Sequence, residues 1–177
     1  MAKSNWTVDA SHSSIEFSVK HMMIANVRGS FHTFTANVIA DAADLTTAEI
    51  DFSIDVNSID TRDTGRDGHL RSGDFFDVEN HPNLTFKATS IARKSSDDYT
   101  MIGDITIHGV TLPISFDVTF EGEGKDPWGN ERAGFSATAS LNRKDFGLNW
   151  NSVLETGGVL VGEQVKIHVQ LEAIKAA

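Results

Sequence analysis

The stretch YTMIGDITIHGVTLPISFDVTF, residues 99–120, constrains the fold more than any other part of the chain. In its first half Tyr99, Met101, Ile105 and Ile107 share one parity, and Thr100, Asp104, Thr106 and His108 share the other. Ile102 is the exception, and Gly103 sits on the apolar parity. In its second half Val110, Leu112, Ile114, Phe116, Val118 and Phe120 alternate with mostly polar residues. A period of two, with β-branched and aromatic residues on one parity, marks strands with one dry and one wet face. Gly109 lies between the halves, where a tight turn needs a permissive backbone. The stretch reads as a long antiparallel hairpin. Pro113 falls on the wet parity and fits an edge, a bulge or a strand start better than a central ladder position.

The same period recurs along the chain. After Trp6-Thr7-Val8-Asp9, the residues Ile15, Phe17 and Val19 alternate with Glu16, Ser18 and Lys20. Met22, Met23 and Ile24 break the pattern, which implies a bend or a short exposed apolar patch. A second strand runs from Val27 to about Val38; Phe31 and Phe34 differ in parity, so it needs a bulge or bend between Gly29 and Phe34. The third, Ala48–Val56, is the cleanest, with Ile50, Phe52 and Ile54 on one face. Residues 61–82, TRDTGRDGHLRSGDFFDVENHP, read as one or two short helical turns crossing an end of the sheet, with Leu70, Phe75 and Phe76 as apolar anchors. A fourth strand, Leu84–Ile91, turns Leu84, Phe86 and Ala88 inward. After the hairpin, residues 122–131 read as a loop. The seventh strand, Arg132–Leu141, points Ala133, Phe135, Ala137, Ala139 and Leu141 inward. A long connection leads to the eighth, Gly162–Ala173, with Val165, Ile167, Val169 and Leu171 on one face.

Eight amphipathic strands, mostly joined by short connections, must each bury one face, either as a sandwich or as a closed barrel. Their length and sequential adjacency favour an all-β, eight-stranded antiparallel up-and-down barrel, with a short helical segment between strands three and four. Nothing marks a linker, so residues 1–177 are expected to form a single domain. An eight-stranded barrel is either filled by side chains or holds one ligand. The three alanines of strand seven leave space unless large residues opposite fill it.

Fifteen Lys and Arg against twenty-five Asp and Glu give a net charge of −10, which argues against nucleic acid and limits contact with anionic membranes to transient encounters. There is no cysteine, so disulfides and thiolate chemistry are excluded. The first residues, MAKSNWTVDA, contain no apolar run. A cytoplasmic protein is expected on that reading, or a periplasmic or secreted one where a leader has been removed.

The motifs resemble those of the YceI-like family, the polyisoprenoid-binding, lipocalin-like proteins. The similarity rests on Trp6-Thr7-Val8-Asp9 with His12-Ser13 and Ile15-Glu16-Phe17; on Val27-Arg28-Gly29-Ser30-Phe31; on Ser58–Thr61 followed by Arg66-Asp67-Gly68-His69-Leu70, Asp74-Phe75-Phe76 and Pro82; on GDITIHGVTLP, residues 103–113; and on Asn142-Arg143-Lys144-Asp145-Phe146-Gly147. The resemblance implies a barrel whose apolar lumen takes a long isoprenoid or similar lipid. The ligand contacts would then be Ile15, Phe17, Val19, Phe31 and Phe34 on the first two strands, and Ile50, Phe52, Ile54, Leu84 and Phe86 on the next two. The hairpin would add Met101, Ile105, Leu112, Ile114, Phe116 and Val118, and the last strands Phe135, Ala137, Ala139, Val165, Ile167 and Val169. Arg66, His69, Arg71, Arg143 and Trp150 would stand at the mouth or meet a head group.

Each chemical reading has a plainer counterpart. Arg62, Arg66 and Arg71 lie among Asp63, Asp67 and Asp74, either as an anion-binding cluster or as a self-paired charged turn. Asp63, Gly65, Asp67 and Gly68 match a calcium loop poorly. The seven histidines show no metal-ligand spacing, so no metal and no cofactor are expected. Asp9, His12 and Ser13 lack a nucleophile-elbow signature and read as bonds fixing the start of a strand. Arg143 and Asp145 read as a structural ion pair. Carriage, storage or sequestration of a lipid or isoprenoid quinone, without catalysis, is the favoured function. The alternatives are an enzyme on a lipidic or quinone substrate within the barrel, and a filled barrel serving as a protein-interaction module. A homodimer is compatible with the sequence.

Overall fold

The computed structural model describes residues 3–152, 154 and 158–176. Three strands are each built from two arms: β1 from Ser4–Val8 and Ser14–His21, β2 from Ala25–Phe31 and Phe34–Asp41, and β3 from Asp44–Asp55 and Ile59–Asp60. Five are continuous: β4 (Asn83–Arg93), β5 (Asp98–Ile107), β6 (Val110–Lys125), β7 (Glu131–Asn142) and β8 (Val161–Lys175). The helix α1, Thr64–Arg71, lies between β3 and β4. Each strand pairs antiparallel with the next in the chain. β8 pairs with both arms of β1, Ala173 opposite Val8 and Val169 opposite Ile15, so the sheet closes on itself. The result is the eight-stranded up-and-down barrel that the alternation predicts. No helix among the described residues is long and apolar enough to cross a membrane.

The breaks between arms have local causes. Asp9 accepts a hydrogen bond from the Ser11 amide at 3.0 Å and caps a single 3₁₀ turn, while Ser13 Oγ donates to the Asp9 carbonyl at 2.7 Å. Asp9, His12 and Ser13 thus do the strand-fixing work expected of them. Asp55 caps a second such turn through the Asn57 amide. The parity conflict of Phe31 and Phe34 is resolved by the break at His32 and Thr33. The β5–β6 turn is His108-Gly109, with φ of 54° and 76°, and Ile107 pairs with Val110. Two consecutive left-handed residues make a type I′ turn, whose twist matches its strands. Met22, Met23 and Ile24 form an exposed apolar tip between β1 and β2, one of the two readings of that break.

One local expectation needs correction. Residues 122–131 are not all loop. β6 continues to Lys125, and a register shift opposite Gly134 and Phe135 absorbs the glycines. The turn proper is pinned by Asp126, which accepts from the Trp128 and Asn130 amides at 2.9 Å. Pro113 takes the edge position expected of it: it pairs with Asp104 of β5 on one side only. Its other side is a local edge, because β6 and β7 pair only from Asp117–Thr138 to Lys125–Glu131. A residue without an N–H is tolerated there.

The inward parity forms two apolar clusters. One holds Ile15, Phe31, Ile54, Phe86, Met101, Ile105, Ile114 and Phe116. The other, with Trp6, Val38, Leu45, Tyr99, Ala133 and Ala173, is the floor of the barrel. Two glycines are dictated by rings. A Cβ at Gly103 would lie 2.5 Å from the Phe86 ring and from the Lys87 carbonyl, which explains a glycine on the apolar parity. Gly29 lies opposite Phe17 in the β1–β2 ladder, and a Cβ there would collide with the Phe17 ring. Gly29→Ala should therefore overpack the wall and destabilise the fold by about 1–3 kcal/mol. Chemical denaturation of the variant tests this; an unchanged midpoint would show that Phe17 moves freely.

Arg132 organises the floor end from outside. It donates to Asp126 (2.8 Å), Asp9 (3.0 Å) and Glu172 (2.9 Å). Arg132 beside Asp126 holds that carboxyl at about 2, against an ordinary 3.8. Bonds from Ser11, His12 and Arg132 hold Asp9 lower still. Depressed carboxyls stabilise the fold above their unfolded pKa and lose that contribution as pH falls through the folded value. Between roughly pH 4 and 2 the parent should lose stability through these groups. Arg132→Met should melt lower at neutral pH and show a shallower decline across that window. Parallel declines for both proteins would mean that the cluster contributes nothing.

Candidate functional site

The barrel encloses a cavity of about 220 Å³ that extends from the floor to α1. Its lining is apolar except for Glu16, Tyr99, Ser136 and Arg143. Most of the contacts expected from parity line it: Ile15, Phe17, Val19, Phe31, Ile50, Phe52, Ile54, Leu84, Phe86, Met101, Ile105, Phe116, Val118, Phe135, Ala137, Val165, Ile167 and Val169. Four do not. Phe34 packs beside Phe52, ring centroids 6.4 Å apart. Leu112, Ile114 and Ala139 keep the inward parity and pack in or against the main apolar cluster, but they lie where β6 and β7 part and line a separate groove of mixed polarity there. Strand seven thus leaves space in the lumen at Ala137, which pairs with Val118 on one side and Val169 on the other; Ala133 is buried in the floor.

The upper end is closed by residues that strand parity does not reach. Leu70 of α1, followed by Phe75 and Phe76, lines the cavity from above, and Phe76 meets Phe31 edge-on at 6.2 Å. Their anchoring role was visible in the sequence, their place over the lumen was not. Trp150 meets His69 edge-on (ring centroids 4.7 Å apart) and lies tilted against Phe75 (5.4 Å), and His69 Nε2 lies 2.9 Å from Asp74. Arg66 donates to Thr61 Oγ1 at 2.8 Å and to the Thr61 carbonyl at 2.6 Å. Arg71 donates to the carbonyls of Asn57 and Ile59. The structure therefore gathers Arg66, His69, Arg71 and Trp150 at the expected end, where they build the cap.

The self-paired reading of the charged turn does not hold for its arginines. No salt bridge among the described residues involves Arg62, Arg66 or Arg71, so the acids do not neutralise them pairwise. Asp63 caps α1 through the Arg66 amide. Asp67 is buried and accepts from the Thr61 amide and hydroxyl. With Asp74 on His69, the carboxylates of the calcium-loop reading each have a separate task.

Arg143 also departs from expectation. It is 3% exposed, and its guanidinium donates to the carbonyls of Gly162 (2.7 Å), Leu148 and Val161 (3.3 Å), with no ion pair to Asp145 among the described residues. Burial pushes its pKa down from the ordinary value, with the Glu163 charge opposing. Its donors face backbone, so it staples the β7–β8 connection to the barrel rim.

Among the described residues, two clusters have metal-ligating side chains within 4.8 Å of one another: Asp9, His12 and Glu172 at the floor end, and Asp77, His81 and His108 at the cap end. In each, the third member, His108 or Glu172, comes from a distant part of the chain.

The model of the YceI-like domain matches residues 6–173. The chain belongs to this family. UPF0312 proteins of Staphylococcus aureus strains N315 and Mu50 are each 40% identical to it over 169 residues, 95% of this chain and 96% of theirs. Among solved structures, Burkholderia cenocepacia BcnA superposes with a TM-score of 0.82 at 25% identity, covering 93% of this chain and 98% of that one. A Campylobacter jejuni YCEI protein gives 0.78 at 28% identity, covering 89% and 90%. A polyisoprenoid binding domain from Saccharophagus degradans gives 0.72 over 97% of this YceI-like chain and 98% of its own, and at 16% identity shows the shared fold.

Proposed function

We propose that this YceI-like domain binds a long apolar lipid, a polyisoprenoid or an isoprenoid quinone, in its lumen, and carries, stores or sequesters it unchanged. The observation that carries this reading is the enclosed 220 Å³ cavity with an almost wholly apolar lining. An empty apolar space loses packing contacts on every wall, so an apolar ligand gains both dehydration and dispersion there. The cavity speaks against a filled barrel that serves only as an interaction module. Arg143, the cationic group of the lining, donates to backbone carbonyls, which supports binding over catalysis.

Size sharpens the proposal. An apolar cavity of about 150 Å³ holds benzene, so 220 Å³ has room for about nine carbons, roughly two isoprene units. A longer chain enters as the cap residues Leu70, Phe75 and Phe76 move aside. Each buried unit contributes about 2–4 kcal/mol before ordering costs. Competition of isoprenols of one to four units against a fluorescent isoprenoid is the test. Affinity should climb steeply from one to two units and less steeply beyond. Affinity that ignores chain length, or no saturable binding, would contradict the proposal.

A further inference from the structure

We propose that Asp77, His81 and His108 form a site for a divalent transition-metal ion of the zinc class at the cap end of the barrel. Asp77 and His81 come from the connection between α1 and β4, at the two ends of a turn closed by the His81 amide donating to the Asp77 carbonyl at 2.9 Å, with Asp77 in the left-handed region at φ 51°. His108 comes from the type I′ turn between β5 and β6, where its φ of 54° places a non-glycine residue in the left-handed region. The three candidate ligand atoms lie within 4.8 Å of one another and all three residues are half-buried. Ligands about 2.0–2.1 Å from a tetrahedral zinc are roughly 3.3 Å apart, so a small rotation of the side chains closes the set.

Hydrogen bonding sets the ligands in the right chemical form. His108 Nδ1 lies 3.1 Å from the Phe146 carbonyl. A carbonyl only accepts, so Nδ1 carries the proton and Nε2 keeps a lone pair. A ligating imidazole is held in this way by a second partner. Asn80 Nδ2 donates to one oxygen of Asp77 at 2.8 Å, which orients the carboxylate and leaves its other oxygen free to coordinate. The imidazoles are positioned by missing side chains. A Cβ at Gly109 would come within 2.8 Å of the His81 ring, and one at Gly147 within 3.2 Å of His108. The two rings stand 4.9 Å apart, centroid to centroid.

Charge separates this cluster from the other one. At the floor, Arg132 already sits on Asp9 (3.0 Å) and Glu172 (2.9 Å), so a metal cation would have to displace a guanidinium. At the cap, no salt bridge among the described residues engages Asp77. Two neutral imidazoles and one carboxylate give a site of net charge −1, with room for a water as fourth ligand. An ion held there ties the cap segment that follows Phe76 to the β5–β6 hairpin.

The test is titration of Zn²⁺ alone into tag-free, chelator-treated protein against a chromogenic indicator, with parent, His81→Gln, Asp77→Asn and the floor control His12→Gln. The parent and His12→Gln should bind one ion, with affinity at least about tenfold weaker in either cap variant. Saturating Zn²⁺ should raise the parent's melting temperature by roughly 5–10 °C at a hundredfold excess over Kd. X-ray absorption of the Zn²⁺-loaded parent should show two imidazole ligands, a readout that needs no variant to fold. No saturable binding would overturn the site. So would binding lost in His12→Gln yet kept in both cap variants, or a parent spectrum with a single imidazole.

Discussion

Replacing Arg143 with methionine should unfold the cap end and lower the melting temperature more than any other single change named here. The variant keeps much of the apolar stem but leaves the carbonyls of Leu148 and Gly162 without this donor, while Val161 keeps the Asn151 side-chain amide at 2.7 Å. Each buried acceptor left unpartnered costs about 1–3 kcal/mol. A total of about 2 kcal/mol or more corresponds to a drop of at least roughly 4 °C in a domain of this size. Arg143→Lys should fall between the two, because an ammonium cannot fork across three carbonyls. Thermal unfolding of the ligand-free proteins decides the matter. A variant that melts like the parent but loses lipid affinity would return Arg143 to the head-group role its motif suggests.

Ala137→Leu should do the opposite: leave the fold standing and empty the lumen of its ligand. Ala137 lines the cavity between Val118 and Val169. Leucine adds three carbons to a space with room for about nine. At about 0.8 kcal/mol per buried methylene, displacing three ligand carbons costs about 2.4 kcal/mol, a weakening of roughly 50-fold. In a packed core the same change would overpack and destabilise by about 1–3 kcal/mol. In an open lumen the ligand-free protein should melt at or slightly above the parent's temperature. Early unfolding with unchanged isoprenoid binding would refute the open lumen.

The barrel was legible because parity is a local signal with a global consequence. Once Ile50, Phe52 and Ile54 share a face, as do Ile114 and Phe116, register follows, since a one-residue slip would turn all of them outward. The breaks at Asp9 and Asp55 also had a local signature, a carboxylate two residues before the amide it caps. Parity names the face of a strand but not what its neighbours cover. Leu112, Ile114 and Ala139 therefore look like lumen contacts until the parting of β6 from β7 is seen. Leu70, Phe75 and Phe76 lie outside the strands, where no period says which way they point. Charge patterning misled at the cap for a related reason. The sequence shows arginines among aspartates, whereas Arg66 and Arg71 are bound to backbone and to Thr61. Asp77, His81 and His108 meet only because the barrel closes under the cap, which no spacing rule records.

The central claim is that the lumen is a lipid site, and lipid extraction tests it most directly. The protein is purified without detergent, washed, and extracted into organic solvent for mass spectrometry, beside Ala137→Leu prepared in the same way. The account predicts a stoichiometric apolar lipid in the parent, with the mass ladder of an isoprenoid, strongly depleted in the variant. An extract empty of lipid, or one equally rich from both proteins, would contradict it.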